Sequence, residues 1–436
     1  MLIDTGASKG PERAYLVAVE SYDQDTMWGS EDSINELGML AQTAGAAVVG
    51  TMIQRLPHPD PLTYVGKGRA QELCELERQL EFDLVIFDDE LTPIQQRNLE
   101  KLLSARIVDR TALILDIFAQ HAHTREGRLQ VELAQLEYRL PRLTDHTIAY
   151  TRQAGGSRGA AGGTGGAIGV RGPGETKLEI DRRHIRSRIS ELKQEIEEVR
   201  RQRTIRRRQR MAQAIPVIAI VGYTNSGKST LFNMLTSADV VAENKLFATL
   251  DPVTRHVVLP GNQEVLFTDT VGFIQKLPTK LIAAFRATLE EVVDADMLLE
   301  IVDSSHENAI EQSETVNDIL DDLEATDKPC VTALNKIDLL ADPAGLDSSL
   351  YPNAVPVSAL HGTGIAALRQ KLADVLAESM DHIQVTIPFT KGELVELFHR
   401  KGYVEQEIQC AEGTQVIGRL PRSLRGYYSS YKIEML

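Results

Sequence analysis

A chain of 436 residues is too long for a single hydrophobic core, so about three compact units are expected. Its composition, with 42% hydrophobic and 25% charged residues, is typical of a globular chain, and no apolar run approaches the roughly 18 residues that span a bilayer. A net charge of -15 argues against a polyanionic partner unless one face concentrates basic residues. The start lacks the pattern of a secretory signal, and Cys74, Cys330 and Cys410 show no paired metal-ligand spacing, so we expect a cytoplasmic protein without a transmembrane segment.

The first predicted domain covers residues 13–125, where short apolar runs alternate with helical patterns. Such alternation predicts an α/β domain with a largely parallel sheet. The segments that carry the pattern are AYLVAVE, SINELGMLAQTAG, AAVVGTMI, DLVIFDD, TPIQQRNLEKLL, ARIVD and TALILDIFAQHA.

A helical hairpin with a glycine-rich tip is predicted over residues 126–213. Its apolar residues recur at intervals of three, four and seven, which is typical of two helices packed as in a coiled coil. They are Leu129, Leu133, Leu136 and Leu140, then Leu178, Ile185, Ile189, Leu192, Ile196 and Val199. The tip between the helices is either a disordered linker or a functional loop studded with Arg152, Arg158 and Arg171. The basic run from Arg182 to Arg210 is either a solvated helix face or a phosphate-backbone contact.

A nucleotide-binding domain is predicted over residues 214–381, because GYTNSGKS follows the strand VIAIVG and precedes the helical TLFNMLTS. Backbone N–H groups of such a P-loop point at phosphate oxygens, Lys228 neutralises the β- and γ-phosphates, and Ser229 offers a hydroxyl to Mg²⁺. The predicted phosphate-binding residues are Gly222, Tyr223, Thr224, Asn225, Ser226, Gly227, Lys228 and Ser229.

Two further segments predict the parts that sense the γ-phosphate. Asp269 ends a strand and is placed to hold Mg²⁺ through water, and the Gly272 N–H can reach a γ-phosphate. Thr249 is preferred over Thr254 as the hydroxyl completing the metal shell, because Thr254 runs into a strand. The predicted catalytic residues are therefore Lys228, Gly272 and Thr249, and the predicted metal ligands are Ser229, Thr249 and Asp269. The segments comprise Phe247, Ala248, Thr249, Leu250 and Asp251, then Asp269, Thr270, Val271 and Gly272.

Base recognition is predicted at NKID and SAL, each of which follows an apolar strand. The Asp338 carboxylate can accept from the ring N–H and the amine of guanine, whereas adenine offers an acceptor there and no adjacent amine. The residues are Asn335, Lys336, Ile337 and Asp338, then Ser358, Ala359 and Leu360. These motifs in order predict a site for GTP and GDP that rejects ATP.

The tail over residues 382–436 predicts a small α/β domain and carries no chemical signal. It contains the strand-like IQVTIP, a helix from about Gly392 to Lys401 and two more strand-like runs. The fold class predicted for the whole chain is thus a multidomain α/β protein with a doubly wound, mainly parallel P-loop domain.

The ordered set GYTNSGKS, FATLD, DTVG, NKID and SAL resembles the translation-factor-related P-loop GTPases, and the N-terminal half resembles one family among them, HflX. The segments that carry this second resemblance are VGKG, FDDELTPIQQRNLE, VDRTALILDIFAQHAHTREGRLQVELAQLEYRLPRL and RGPGETKLEIDRR. The glycine-rich tip departs from the family by being longer than its compact GG…RGPGE.

The resemblance implies a GTPase that binds the large ribosomal subunit and its ribosomal RNA and splits stalled or idle ribosomes. We further expect a monomer that does not bind DNA. Phe273 stands where Ras-like enzymes place a water-orienting glutamine, so we expect slow hydrolysis that the ribosome stimulates. Asn225 permits a bound K⁺ in addition to Mg²⁺. Two alternatives stay open, a ribosome assembly GTPase and an ATP-dependent RNA-remodelling activity in the N-terminal half.

Overall fold

The computed structural model describes residues 10–21, 29–143, 173–212, 215–236, 246–247, 249–276, 289–342, 347–421, 424–431 and 433–435. The chain divides into two compact units, Met1–Asp25 with Ser30–Arg201 and Thr26–Gly29 with Gln202–Leu436. The finer division into four domains stays a prediction.

The first unit contains a four-stranded parallel sheet in the order β2-β1-β3-β4. Its strands are β1 (Arg13–Ser21), β2 (Ala47–Leu56), β3 (Leu84–Phe87) and β4 (Arg106–Asp109). Its helices are α1 (Ser30–Thr43), α2 (Lys67–Leu80), α3 (Pro93–Leu102), α4 (Arg110–His121), α5 (Arg125–Arg139) and α6 (Pro173–Ala212), the last of which continues into the second unit. The predicted α/β fold with a parallel sheet is confirmed for this part of the chain.

A buried ionic cluster that was not predicted from the sequence lies where β3 and β4 end. The Arg110 side chain is only 1% exposed and donates to Asp88 at 2.8 Å, and it also pairs with Glu36. Ser33 donates to the second oxygen of Asp88 at 2.7 Å. A buried arginine needs such partners because an unpaired charge in the interior is costly.

Helices α5 and α6 form the predicted hairpin. Leu129, Leu133 and Leu192 are buried against one another, with Leu136, Ile189, Ile196 and Val199 packed around them. Leu140 falls outside α5, in the 3-10 turn Leu140–Arg142. Arg188 is engaged by the carboxylates of Glu132, Glu191 and Glu195, so its charge is already balanced within the hairpin. The glycine-rich tip lies outside the described residues, and its role stays a prediction.

The second unit contains a six-stranded sheet in the order β10-β9-β8-β5-β7-β6, in which only β6 runs antiparallel to its neighbour. Its strands are β5 (Val217–Gly222), β6 (Val253–Leu259), β7 (Gln263–Asp269), β8 (Met297–Asp303), β9 (Cys330–Asn335) and β10 (Val355–Pro356). The helices described with it include α7 (Lys228–Thr236), α8 (Ala309–Asp322) and α9 (Ile365–Glu378). Strand β8 is buried along its whole length, as expected for a central parallel strand covered on both faces.

The same unit ends in an antiparallel sheet of order β12-β13-β11-β14. Its elements are β11 (Asp381–Ile387), α10 (Gly392–Lys401), β12 (Tyr403–Cys410), β13 (Gly413–Leu420), α11 (Arg425–Tyr428) and β14 (Ile433–Met435). Alternate residues of β11 are buried with Phe398 and Tyr428, so one face of the sheet packs on the two helices. Across all the described segments, no helix combines the length and the apolar character needed to cross a membrane.

Candidate functional site

The P-loop forms the turn between β5 and α7, and two of its positions require glycine. Gly222 has φ +148°, and a Cβ there would lie 2.4 Å from the Ile301 carbonyl oxygen. Gly227 has φ +95°, and its Cβ would lie 2.3 Å from Asn335 Nδ2. Both the left-handed conformation and the close approach exclude a side chain at these positions. The backbone can therefore curl around a phosphate at the N-terminus of α7.

A cavity of about 420 Å³ opens at the carboxyl ends of the parallel strands, where an open α/β sheet binds its ligand. The predicted residues that line it are Thr224, Asn225, Gly227, Lys228, Ser229, Phe247, Thr249, Thr270, Gly272, Asn335, Lys336, Asp338, Ala359 and Leu360. The predicted residues that do not line it are Gly222, Tyr223, Ser226, Leu250, Asp251, Asp269, Val271, Ile337 and Ser358. Ala248 lies outside the described residues.

Two lining residues, Thr230 and Leu339, were not among the residues predicted from the sequence. Thr230 directly follows the P-loop serine in the first turn of α7, and this position in a phosphate-binding helix could have indicated it. Leu339 follows Asp338 and is 66% exposed. No feature of the sequence distinguishes Leu339 from an ordinary core leucine.

The three predicted metal ligands converge on one point. The Ser229 and Thr249 hydroxyl oxygens lie 2.9 Å apart, and they donate to the same Asp269 oxygen, Oδ2, at 3.0 and 3.1 Å respectively. The other carboxylate oxygen, Oδ1, is buried and has no hydrogen-bond partner within the described part of the chain. An all-oxygen donor set with one orphaned carboxylate oxygen fits Mg²⁺, which prefers oxygen ligands and retains several waters. By contrast Thr254 contacts Thr268 in the neighbouring strand.

Lys228 lies at the phosphate end of the cavity and is 7% exposed. Its Nζ donates to the Tyr223 carbonyl oxygen at 2.6 Å. Burial lowers the pKa of this ammonium to about 8, although Asp269 opposes the shift. Burial raises the pKa of the Asp269 carboxyl, against the effects of Lys228, Ser229 and Thr249. A bound polyphosphate would supply the negative charge that keeps Lys228 protonated.

The base end is joined to the P-loop by Asn335. Its Nδ2 donates to the Ser226 carbonyl oxygen at 2.8 Å, and its Oδ1 accepts from the Ala359 N–H at 3.0 Å. The Ala359 N–H is thus engaged by Asn335 in this conformation. A hydrogen bond from Ser358 lowers the pKa of the Asp338 carboxyl, which keeps it ionised as an acceptor for a guanine edge.

Phe273 is fully buried, and its backbone ties the segment after Gly272 to the P-loop. Its N–H donates to the Gly222 carbonyl oxygen at 3.1 Å, and its carbonyl accepts from the Thr224 N–H at 2.7 Å. The result is a parallel bridge between Phe273 and Tyr223, whose hydroxyl accepts from the Gln275 N–H at 2.9 Å. Phe273 is therefore an apolar anchor and offers no polar side-chain atom to the cavity.

Three family models match consecutive parts of this chain. A GTP-binding GTPase N-terminal model matches residues 31–119, and a GTP-binding GTPase middle-region model matches residues 121–210. A model described as a 50S ribosome-binding GTPase matches residues 217–336, the region that holds the P-loop and the NKID segment.

Curated relatives are similar along almost the whole length. GTPase HflX of Caldanaerobacter subterraneus subsp. tengcongensis is 45% identical over 94% of this chain and 91% of its own. GTPase HflX of Escherichia coli strain K12 is 40% identical over 92% of each chain. Among solved structures, a GTP-binding protein from the archaeon Sulfolobus solfataricus in complex with GDP is 27% identical, covering 84% of this chain and 99% of that one with a TM-score of 0.42.

Proposed function

The chain belongs to the HflX family of GTPases, and from this premise we propose that it binds the large ribosomal subunit and uses GTP to separate stalled or idle ribosomes into subunits. One observation carries the enzymatic part of the proposal. A single cavity has a guanine-type carboxylate, Asp338, at one end and the P-loop Lys228 with Gly272 at the other. The ribosomal part is supported by the 50S ribosome-binding description of the model that matches residues 217–336.

Each part of the cavity has a role in the proposed hydrolysis. Asp338 accepts hydrogen bonds from the guanine edge, and the P-loop N–H groups hold the phosphates. Lys228 balances charge on the β- and γ-phosphates, and the Gly272 N–H contacts the γ-phosphate. Ser229, Thr249 and Asp269 would hold Mg²⁺, which would supply positive charge to balance the charge on the phosphates. Because Gly272 precedes the Phe273 anchor, its backbone lies next to the P-loop, with a Cβ built on Gly272 3.0 Å from Thr224 Cα.

Slow hydrolysis by the free protein follows from the burial of Phe273, because a phenyl ring cannot orient the attacking water. Purified large subunits should raise the turnover of GTP by about tenfold or more, the low end of what completing such a site supplies. Turnover should be measured with and without large subunits, with small subunits as the control. Fast turnover without any partner would contradict this part of the proposal.

The proposal that the site takes K⁺ as well as Mg²⁺ is based on Asn225, whose side chain carries an oxygen acceptor and which lines the cavity. Asn225 has φ +61°, a left-handed conformation that is uncommon for a residue other than glycine, and it lines the cavity. A K⁺ site would make hydrolysis faster in KCl than in NaCl at equal ionic strength. Equal rates in the two salts would exclude it.

Subunit separation is proposed to use the helical hairpin as a rigid arm. Arginines near the hairpin would make salt-dependent contacts with phosphates of ribosomal RNA, and the glycine-rich tip would enter the subunit interface. The arginines proposed for this role are Arg182, Arg183, Arg186 and Arg188, of which Arg188 also pairs with three carboxylates of the hairpin. Deleting residues 155–169 should leave GTP binding intact but sharply reduce GTP-dependent separation in sucrose-gradient sedimentation. If the deletion variant separates ribosomes like the unmodified protein, the tip is only a linker.

The same sedimentation experiment distinguishes a factor that separates ribosomal subunits from a ribosome assembly factor. Such a factor would bind immature large subunits and leave complete ribosomes intact. Photo-crosslinking with ATP and GTP analogues, mapped to the two halves of the chain, tests whether the N-terminal half binds ATP. We propose a monomeric cytoplasmic protein, and light scattering of the purified protein tests the monomer.

A further inference from the structure

The side chain of Thr224, the third residue of the P-loop, has a buried hydroxyl whose bonding capacity is unused. Thr224 is 6% exposed and lines the nucleotide cavity. Its Oγ1 finds no hydrogen-bond partner among the residues that the structure describes. Buried polar atoms are nearly always hydrogen-bonded, so an orphan beside a ligand cavity indicates that the ligand supplies the partner.

Distances place this side chain at the γ-phosphate end of the cavity. A Cβ built on Gly272 would lie 2.9 Å from Thr224 Cγ2 and 2.9 Å from Lys228 Nζ. The Thr224 side chain and the Lys228 ammonium thus approach the same point of the backbone, next to the N–H assigned to the γ-phosphate. Rotation about χ1 by about 120° moves Oγ1 to the position that Cγ2 now holds and the methyl group to the third staggered position, so the hydroxyl can be presented where the methyl group lies.

Three other hydroxyls of the nucleotide site already donate hydrogen bonds. Ser229 and Thr249 donate to Asp269, and Thr270 donates to the Ile220 carbonyl oxygen at 2.5 Å. Phe273, at the position where a water-orienting glutamine would stand, contributes only an apolar ring to the core. The Thr224 and Ser226 hydroxyls both lack a partner among the described residues, and of these two side chains it is Thr224 that approaches Gly272, with its Cγ2 2.9 Å from a Cβ built there.

The backbone fixes Thr224 and Gly272 relative to each other. The Thr224 N–H donates to the carbonyl of Phe273, the residue that follows Gly272, at 2.7 Å. A donor held in place before the reaction stabilises developing charge without reorganising at the moment of reaction. This arrangement distinguishes Thr224 from a side chain on a mobile loop.

We propose that the Thr224 hydroxyl is a catalytic group that donates a hydrogen bond to a γ-phosphoryl oxygen in the transition state, partly replacing the glutamine that Phe273 displaces. This inference rests on the proposed hydrolysis of GTP. In that step a water oxygen bonds to the γ-phosphorus while the bond to the β–γ bridging oxygen breaks. The electron pair stays on GDP, and the water proton passes to the released phosphate. The hydroxyl bonds more strongly to the transition state than to bound GTP, so it should act on the rate and not on affinity.

The test compares Thr224→Val, which removes the hydroxyl at nearly constant volume, with Thr224→Ser, which retains it. Thr315→Val is the matched control, because Thr315 lies in α8 and its hydroxyl bonds to the carbonyl of Glu311. Single-turnover hydrolysis of GTP, affinity for GDP and affinity for GDP with aluminium fluoride should be measured, with and without large ribosomal subunits.

Thr224→Val should lower the single-turnover rate and the affinity for GDP with aluminium fluoride by about tenfold or more, as expected for loss of a transition-state donor. The affinity of Thr224→Val for GDP should stay within about twofold of that of the unmodified protein. The single-turnover rate of Thr224→Ser should stay within about threefold of the unmodified rate, because serine keeps the hydroxyl donor. An unchanged rate in Thr224→Val would overturn the inference, as would an equal loss in Thr224→Ser or an equal loss of GDP affinity. If the unmodified protein hydrolyses no GTP even with large subunits, the proposed function fails first, and this inference with it.

Discussion

An ion pair between Glu264 of β7 and Lys401 of α10 predicts how the contact between the six-stranded sheet and the C-terminal antiparallel sheet contributes to stability. The Lys401 side chain is 3% exposed, and its Nζ lies 2.7 Å from Glu264 Oε2. Glu264→Gln removes the counter-charge and leaves a buried ammonium with only an amide oxygen beside it. Removing one partner of a buried pair is more costly than replacing the pair.

The expected cost follows from the burial of the two partners. Breaking a fully buried pair costs about 3–5 kcal/mol, and because Glu264 is 21% exposed we expect about 2–3 kcal/mol for Glu264→Gln. In a unit of this size, that loss corresponds to a fall in melting temperature of about 5–10 °C. Lys401→Met should cost less than about 1 kcal/mol, because it keeps the apolar stem and leaves a partly exposed carboxylate in water. Arg400 at 3.7 Å and His256 at 4.0 Å also remain beside that carboxylate.

The ion pair between Glu264 and Lys401 also predicts how the stability of the protein depends on pH. The hydrogen bond from Lys401 lowers the pKa of the Glu264 carboxyl in the folded protein. Stability from this pair is therefore present above the unfolded pKa of about 4.3 and is lost as the pH falls through the folded value. The difference in free energy of unfolding between the unmodified protein and the Glu264→Gln variant should become smaller below about pH 4.

Differential scanning calorimetry of the nucleotide-free protein measures these changes, and hydrogen exchange of β7 and α10 localises them. Glu396→Gln is the matched control, since Glu396 is an exposed residue of the same helix. Equal losses of stability in Glu264→Gln and Lys401→Met would refute this prediction, because the expected difference comes from the unequal burial of the two charges.

Three further predictions concern other parts of the chain. Asp338→Asn should shift preference from guanosine toward xanthosine nucleotides, because an amide can donate to the xanthine 2-oxo group; unchanged GTP preference in competition binding would exclude the assigned role. Glu300 is 3% exposed, and burial raises the pKa of its carboxyl, so its contribution to the free energy of unfolding is lost as the pH rises above about 4. In urea unfolding, the Glu300→Gln variant should therefore gain stability relative to the unmodified protein as the pH rises above about 4. A loss of relative stability over the same range would contradict this prediction. Leu192→Ala should destabilise the hairpin by about 2–5 kcal/mol, seen as faster hydrogen exchange in α5, whereas Ile180→Ala at a 39% exposed position of the same helix should not.

Local chemistry explains why much of the nucleotide site could be predicted from the sequence. A P-loop is one continuous turn between a strand and a helix, so the order of its residues already specifies where N–H groups, Lys228 and Ser229 lie. The α/β class was likewise predictable, because alternating apolar runs and helical periods encode parallel strands with crossover helices. The confirmed resemblance to the HflX family came from longer segments of the same kind.

Contacts between distant residues were decided only by the tertiary structure. Glu264 and Lys401 are 137 residues apart, and Ser226 and Asn335 are 109 apart, so no local pattern could pair them. The sequence showed that Phe273 lacks a polar group, but only the fold shows it bridged to Tyr223 and fully buried. Which polar atoms find partners depends on the neighbours that folding brings together. For that reason only the tertiary structure shows that the buried hydroxyl of Thr224 lacks a hydrogen-bond partner among the described residues.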